Sequence, residues 1–89
     1  MVKIRIYGVL RVLAGRNELD VDAENVREAC KKLTYILGDE ARKLVFNERG
    51  EVYPSILIFK DNDRVTNLSV QVKQDDTLYI IPAVEGGVK

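Results

Sequence analysis

The chain has 89 residues, enough for one domain with a single modest core and too few for a deep substrate cleft. Hydrophobic residues make up 46% and charged residues 31%, the balance of a folded domain rather than a disordered one. With 14 basic and 14 acidic residues the formal net charge is zero, which argues against nucleic acid as the main partner, because phosphate binding needs a basic excess or a basic patch.

No apolar run approaches the length of a membrane span. The N-terminus alternates charged and apolar residues from Lys3 onward, unlike a signal peptide. The single cysteine, Cys30, cannot close an internal disulfide, so a cytoplasmic location is expected.

Val2, Ile4 and Ile6 alternate with Lys3, Arg5 and Tyr7, the period of a strand with one buried face. Gly8 ends it, Val9 to Gly15 reads as a connection, and Asn17 to Val21 as a second strand returning beside the first. Val26, Ala29, Cys30, Leu33, Ile36 and Leu37 then fall on one helical stripe. Asn25 is placed to cap that helix, with Glu28 completing a capping-box-like arrangement and Gly38 stopping it. A second short helical turn is expected from Asp39 to Leu44, and Asn47-Glu48-Arg49-Gly50 is a turn signal.

Ser55 to Lys60 contains four consecutive apolar residues, Ile56-Leu57-Ile58-Phe59. A strand with one solvated face should alternate, so both faces of this one are expected to be covered, the second by a partner. Asp61-Asn62-Asp63 is a turn, Val65 to Val72 a mixed region of short strand, and Lys73-Gln74-Asp75-Asp76 another turn. Thr77 to Ile81 is the last strand, and Pro82, which lacks an N–H, is expected to take the chain out of the sheet. With the first and last strands adjacent and parallel in the centre, the order predicts an α+β protein of β-grasp architecture: a mixed four- to five-stranded sheet packed on one main helix. Residues 1–81 form the domain and residues 82–89 a flexible C-terminal tail.

That tail, Pro82-Ala83-Val84-Glu85-Gly86-Gly87-Val88-Lys89, carries two adjacent glycines whose main chain can enter a slot too narrow for other residues. Little else in the chain suggests chemistry. Cys30 lies on the buried stripe, where it packs rather than reacts. Asp61-Asn62-Asp63 and Asp75-Asp76 are explained by turn chemistry and do not match the spacing of a calcium loop. No histidine is present, so no zinc site, Ser/His pair or Cys/His pair is expected, and there is no Gly-rich phosphate loop. No catalytic residue and no metal ligand is assigned. Tyr7, Leu57 or Phe59, Tyr79 and Ile81 are expected on the sheet face away from the helix, where a contiguous apolar patch beside the tail's exit would mark a docking surface. Arg11 and Arg16 either add charge contacts there or are simply solvated.

Four pieces in order carry a resemblance across nearly the whole chain. They are Lys3-Ile4-Arg5-Ile6-Tyr7 with Leu10-Arg11-Val12-Leu13-Ala14-Gly15, Asn25-Val26-Arg27-Glu28-Ala29, Lys73-Gln74-Asp75-Asp76-Thr77-Leu78, and Ile81-Pro82-Ala83-Val84-Glu85-Gly86-Gly87. Together they resemble the MoaD/ThiS family of ubiquitin-like sulfur carriers, on the side of MoaD, the small subunit of molybdopterin synthase. Asp75 stands where the family usually has glycine.

The resemblance implies a carrier with no catalytic site of its own and no bound cofactor. In the family the carboxylate of the terminal glycine, here Gly87, is adenylated from ATP by a ubiquitin-activating-type (MoeB-like) enzyme, and sulfur then replaces AMP to give a thiocarboxylate. In the MoaD branch the tail next enters a MoaE-like large subunit, where sulfur builds the dithiolene of molybdopterin for a molybdenum or tungsten cofactor. The sheet face binds both partners. Val88-Lys89 departs from this pattern, because the amide carbonyl of Gly87 cannot be adenylated while Val88 is attached. The role of Gly87 therefore implies a processing protease. Three alternatives stay open: a ubiquitin-like modifier conjugated through the diglycine, a ThiS-like carrier for thiazole synthesis, and a β-grasp interaction module whose tail is never activated.

Overall fold

A computed structural model describes residues 1–83; the expectations for Val84, Glu85, Gly86, Gly87 and Val88-Lys89 lie outside the described residues. The elements are β1 (Val2–Ile6), α1 (Gly8–Ala14), β2 (Glu18–Val21), α2 (Val26–Leu37), α3 (Asp39–Val45), β3 (Ile56–Lys60), β4 (Asp63–Arg64) and β5 (Thr77–Pro82). The five strands form one mixed sheet in the order β2-β1-β5-β3-β4. β5 runs parallel to β1 and antiparallel to β3, so the first and last strands are central neighbours, as the sequence predicts. This is the β-grasp fold.

Register explains the core. Residues opposite one another across a ladder share a sheet face, and the pairs Ile4–Leu19, Ile4–Leu78, Ile6–Ile80 and Ile58–Ile80 join apolar side chains from four strands. Val2, Ile4, Ile6, Leu78 and Ile80 are buried completely or nearly so on this face. The stripe of Val26, Ala29, Cys30 and Leu33 on α2 is equally buried within the same core, which also takes in Leu10 of α1 and Ala41 and Val45 of α3.

α2 is well fixed at both ends. The Asn25 side chain accepts a hydrogen bond from the Glu28 N–H at 2.8 Å, and the Glu28 carboxylate accepts one from the Glu24 N–H at 2.7 Å. This is a capping box whose return bond falls one residue before the cap. The C-terminal stop is Gly38, whose N–H donates to the Thr34 carbonyl at 2.9 Å. Its backbone, at φ 103 and ψ −177, lies in a region essentially closed to side chains, and there the chain turns into α3.

Four expectations need correction. The segment from Val9 to Gly15 is not a bare connection but helix α1, anchored by Leu10. Seven residues are too few for a helical period to stand out from a run of apolar side chains. On α2, Ile36 is 54% exposed and Thr34 takes its place in the core. The Thr34 hydroxyl donates to the Lys31 carbonyl, so burial leaves no polar group unmet. Val65 to Val72 makes no strand, only an isolated bridge between Asn25 and Gln71. Its carbonyls serve another purpose: Val70 and Leu68 accept from the Val26 and Arg27 N–H groups, which the first turn of a helix leaves without partners.

The fourth correction concerns the end of the sheet. Pro82 does not leave it but pairs opposite Ile56, and the Ala83 N–H still donates to the Ser55 carbonyl at 2.7 Å. Proline is tolerated here because alternation turns its nitrogen away from β3, toward the side where β1 has already given way to Gly8.

Candidate functional site: the open sheet face and the exit of the last strand

The sheet face opposite α2 is set by the same register. Arg5 lies opposite Tyr79, Tyr79 opposite Phe59, and Leu57 opposite Ile81. Tyr7 follows Arg5 by two residues and lies on the same side; its N–H donates to the Ile80 carbonyl at 3.3 Å, which sets it beside Ile81. Tyr7, Leu57, Phe59, Tyr79 and Ile81 are all half-buried. Among the described residues no helix forms a second layer over them: α1, α2 and α3 all send side chains to the core on the other face. The apolar run in β3 therefore has a core face of Ile56 and Ile58 and an open face of Leu57 and Phe59.

This patch is joined to the chain's exit. Tyr79 and Ile81 belong to β5, and Ile81 is followed directly by half-buried Pro82 and exposed Ala83, where the described chain ends. Gly8, at φ +60, sits against Pro82: a Cβ built on it would lie 3.7 Å from the proline Cγ and Cδ. The glycine is needed for its left-handed backbone, which swings the chain from β1 into α1 beside the exit.

Arg11 lies apart from the sheet patch, on α1. With Gly8, Val12, Gly15, Arg16 and Asn17 it lines an open concavity of about 640 Å³. The Arg16 Nε donates to the Glu18 carbonyl at 3.2 Å and so braces the start of β2. Val9, Val12 and Leu13 of α1 are also exposed, Val12 by 78%. Four valines and leucines between residues 9 and 13 are the sequence signal for these apolar residues, since a plain surface connection would not concentrate them.

Arg5 reads in the sequence as one polar position of an alternating strand. It lies on the open face beside Tyr79, one strand from the sheet's centre, and its Nε is buried without a hydrogen-bond partner. The carboxylate directly opposite, Glu18, is engaged diagonally by Lys3 at 3.6 Å.

Two other features bear on chemistry. Burial pushes the Cys30 thiol up to about 12, with nearby Arg27 offsetting part of the effect. A second open groove, about 590 Å³, lies between α2, α3 and the Phe46 to Gly50 turn. Among the described residues no group of three or more His, Cys, Asp or Glu side chains could hold a metal ion, and no helix is long and apolar enough to cross a membrane.

Neither a family profile nor a curated protein sequence matches the chain; the similarity that exists is to solved structures. The solution structure of small archaeal modifier protein 1 (SAMP1) from Methanosarcina acetivorans superposes with a TM-score of 0.81 at 29% identity, covering 97% of this chain and 95% of that one. SAMP1 from Haloferax volcanii gives 0.80 at 26% identity, covering 97% and 98%. A chain in the BexX/CysO complex of Amycolatopsis orientalis gives 0.79 at 26% identity, covering 98% and 100%.

Proposed function

We propose that this chain, a ubiquitin-like protein of the MoaD/ThiS β-grasp family, is a sulfur carrier that acts through a C-terminal glycine, Gly87. The observation that carries the proposal is continuity. The strand that contributes Tyr79 and Ile81 to the open apolar patch is the same strand that delivers the tail. A partner seated on the patch thereby fixes the origin of a short, slim segment, and its catalytic centre need only lie within that segment's reach.

The working form ends at Gly87, after a protease has removed Val88-Lys89. A carboxylate oxygen is a poor leaving group. The terminal carboxylate therefore first attacks the α-phosphorus of ATP on a MoeB-like adenylating enzyme, releasing pyrophosphate. A sulfur nucleophile then attacks the acyl carbon and AMP departs, leaving a thiocarboxylate. The carrier needs no base, metal or nucleophile for these steps; it supplies Gly86 and Gly87, which add no side-chain bulk at the reacting end. ATP is consumed by the partner and is not held by this chain. The destination we assign is molybdopterin, with a MoaE-like large subunit receiving the charged tail. That assignment rests on the resemblance in the Leu10 to Gly15 segment.

One observation favours a second role, protein modification: two of the similar structures are small archaeal modifier proteins. One experiment separates the roles. The chain ending at Gly87 is incubated with a MoeB-like enzyme, ATP and a sulfur source, and its intact mass is measured. A carrier gains the mass of one oxygen-to-sulfur exchange, and adding a MoaE-like subunit with the pterin precursor then yields molybdopterin. A modifier instead forms conjugates with lysines of extract proteins, which are lost on altering Gly87. An interaction module shows neither.

A further inference from the structure

We propose that Arg5 is the specificity-determining residue of the open face, and that it receives a carboxylate side chain from the adenylating enzyme that activates the tail. The inference rests on the carrier function and names the chemistry of its first partner.

One row of residues crosses the sheet in register: Glu18 on β2, Arg5 on β1, Tyr79 on β5, Phe59 on β3 and Arg64 on β4. Two aromatic rings lie between two guanidinium groups. The left-hand carboxylate of the row is already used, because Glu18 is drawn diagonally to Lys3. Asp20, the remaining acid on this face of β2, lies opposite Lys3 rather than Arg5. Neither Arg5 nor Arg64 has an ion-pair partner among the described residues.

Arg5 differs from Arg64 in burial. Arg64 is exposed and its charge is met by water, whereas the Nε of Arg5 is shut off from solvent with no acceptor. It is the one buried side-chain nitrogen or oxygen in that condition among the described residues. A guanidinium offers its donors in a rigid fork that matches a carboxylate. Set beside Tyr79, with Tyr7 and Ile81 next on the same face, that fork is excluded from water further when a partner closes over the patch, so the partner must bring an acceptor with it. The occupant is therefore a protein surface with an apolar rim and an aspartate or glutamate aimed at Arg5. It is the activating enzyme, because the same face leads into the tail that enzyme must reach.

The test uses the chain ending at Gly87 and a MoeB-like enzyme, with ATP–pyrophosphate exchange as the readout. Arg5→Leu and Arg5→Gln are compared with the parent chain, and Arg5→Lys tests fork against charge. The expected result is a rise of roughly 30-fold or more in the KM for the carrier with Leu or Gln, kcat staying within about 2-fold, and a smaller rise with Lys. The melting temperature of the Leu variant stays level or rises, because an unmet buried donor is removed, and that of the Gln variant stays level, its amide standing where Nε stood. A KM unchanged in Leu and Gln overturns the proposal. A fall in both melting temperatures also overturns it, since Arg5 would then serve the fold. If sedimentation shows the free chain to be a dimer that Arg5→Leu dissociates, the occupant is a second copy and the proposal falls. If the parent chain supports no exchange at all, the carrier function itself is lost, a result distinct from failure of the variants alone.

Discussion

If the chain carries sulfur as proposed, its only thiol is the first group to test, and the structure predicts that Cys30 takes no part. It is fully buried on α2, and burial raises its pKa from 9.0 to about 12, the Arg27 charge opposing only part of the rise. A thiol reacts as its thiolate. At pH 8 the native thiolate fraction is therefore about a thousandfold below that of the unfolded chain. Native protein should resist iodoacetamide at pH 8, and Cys30 should label at the normal rate once urea unfolds it. The same shift makes stability depend on alkali. The folded state favours the protonated thiol, so its contribution is complete below pH 9 and is lost as pH rises from 9 toward 12. The loss is about 1 kcal/mol at pH 10 and about 3 kcal/mol at pH 11. Urea titrations at pH 7, 10 and 11 measure it, and Cys30→Ala should show a slope shallower by that amount while still forming the thiocarboxylate. Rapid labelling of native protein, an unchanged slope, or loss of thiocarboxylate in Cys30→Ala would each refute the reasoning.

Other perturbations test the fold and the patch. Leu78→Ala removes a fully buried side chain from the central strand and should cost about 2–5 kcal/mol in urea unfolding at constant m-value. Gly38→Ala meets nothing within 4 Å, so its cost is purely that of the backbone at φ 103. It should destabilise by about 1–3 kcal/mol, read as a fall of several degrees in melting temperature. Ile81→Asp places a charge in the open patch rather than the core; activation by the adenylating enzyme should fall at least about 10-fold while melting changes little.

What was legible in the sequence was what depends on local periodicity. The alternation of Val2, Ile4 and Ile6 and the stripe from Val26 to Leu33 each match the observed burial. Asn25, Glu28 and Gly38 mark the ends of α2, because capping is chemistry between residues a few positions apart. Tertiary contacts decided the rest. α1 is helical because Leu10 reaches the core and Gly8 can bend beside Pro82. Residues 65–72 do not pair as a strand because their carbonyls cap α2. Tyr7, Leu57, Phe59, Tyr79 and Ile81 could be expected on one face from parity, but not the isolation of Arg5 among them. That isolation depends on Glu18 turning toward Lys3, a choice between two cations that no spacing records.

The central claim is that sulfur travels on the carboxylate of Gly87. Its most direct test is the intact mass of the protein recovered from the cells that make it, under conditions that preserve thioacids. The prediction is a chain ending at Gly87, part of it heavier by one oxygen-to-sulfur exchange, and lacking that form when the adenylating enzyme is deleted. A chain with Val88 still attached throughout, and no thiocarboxylate form in cells actively using the pathway, would contradict it.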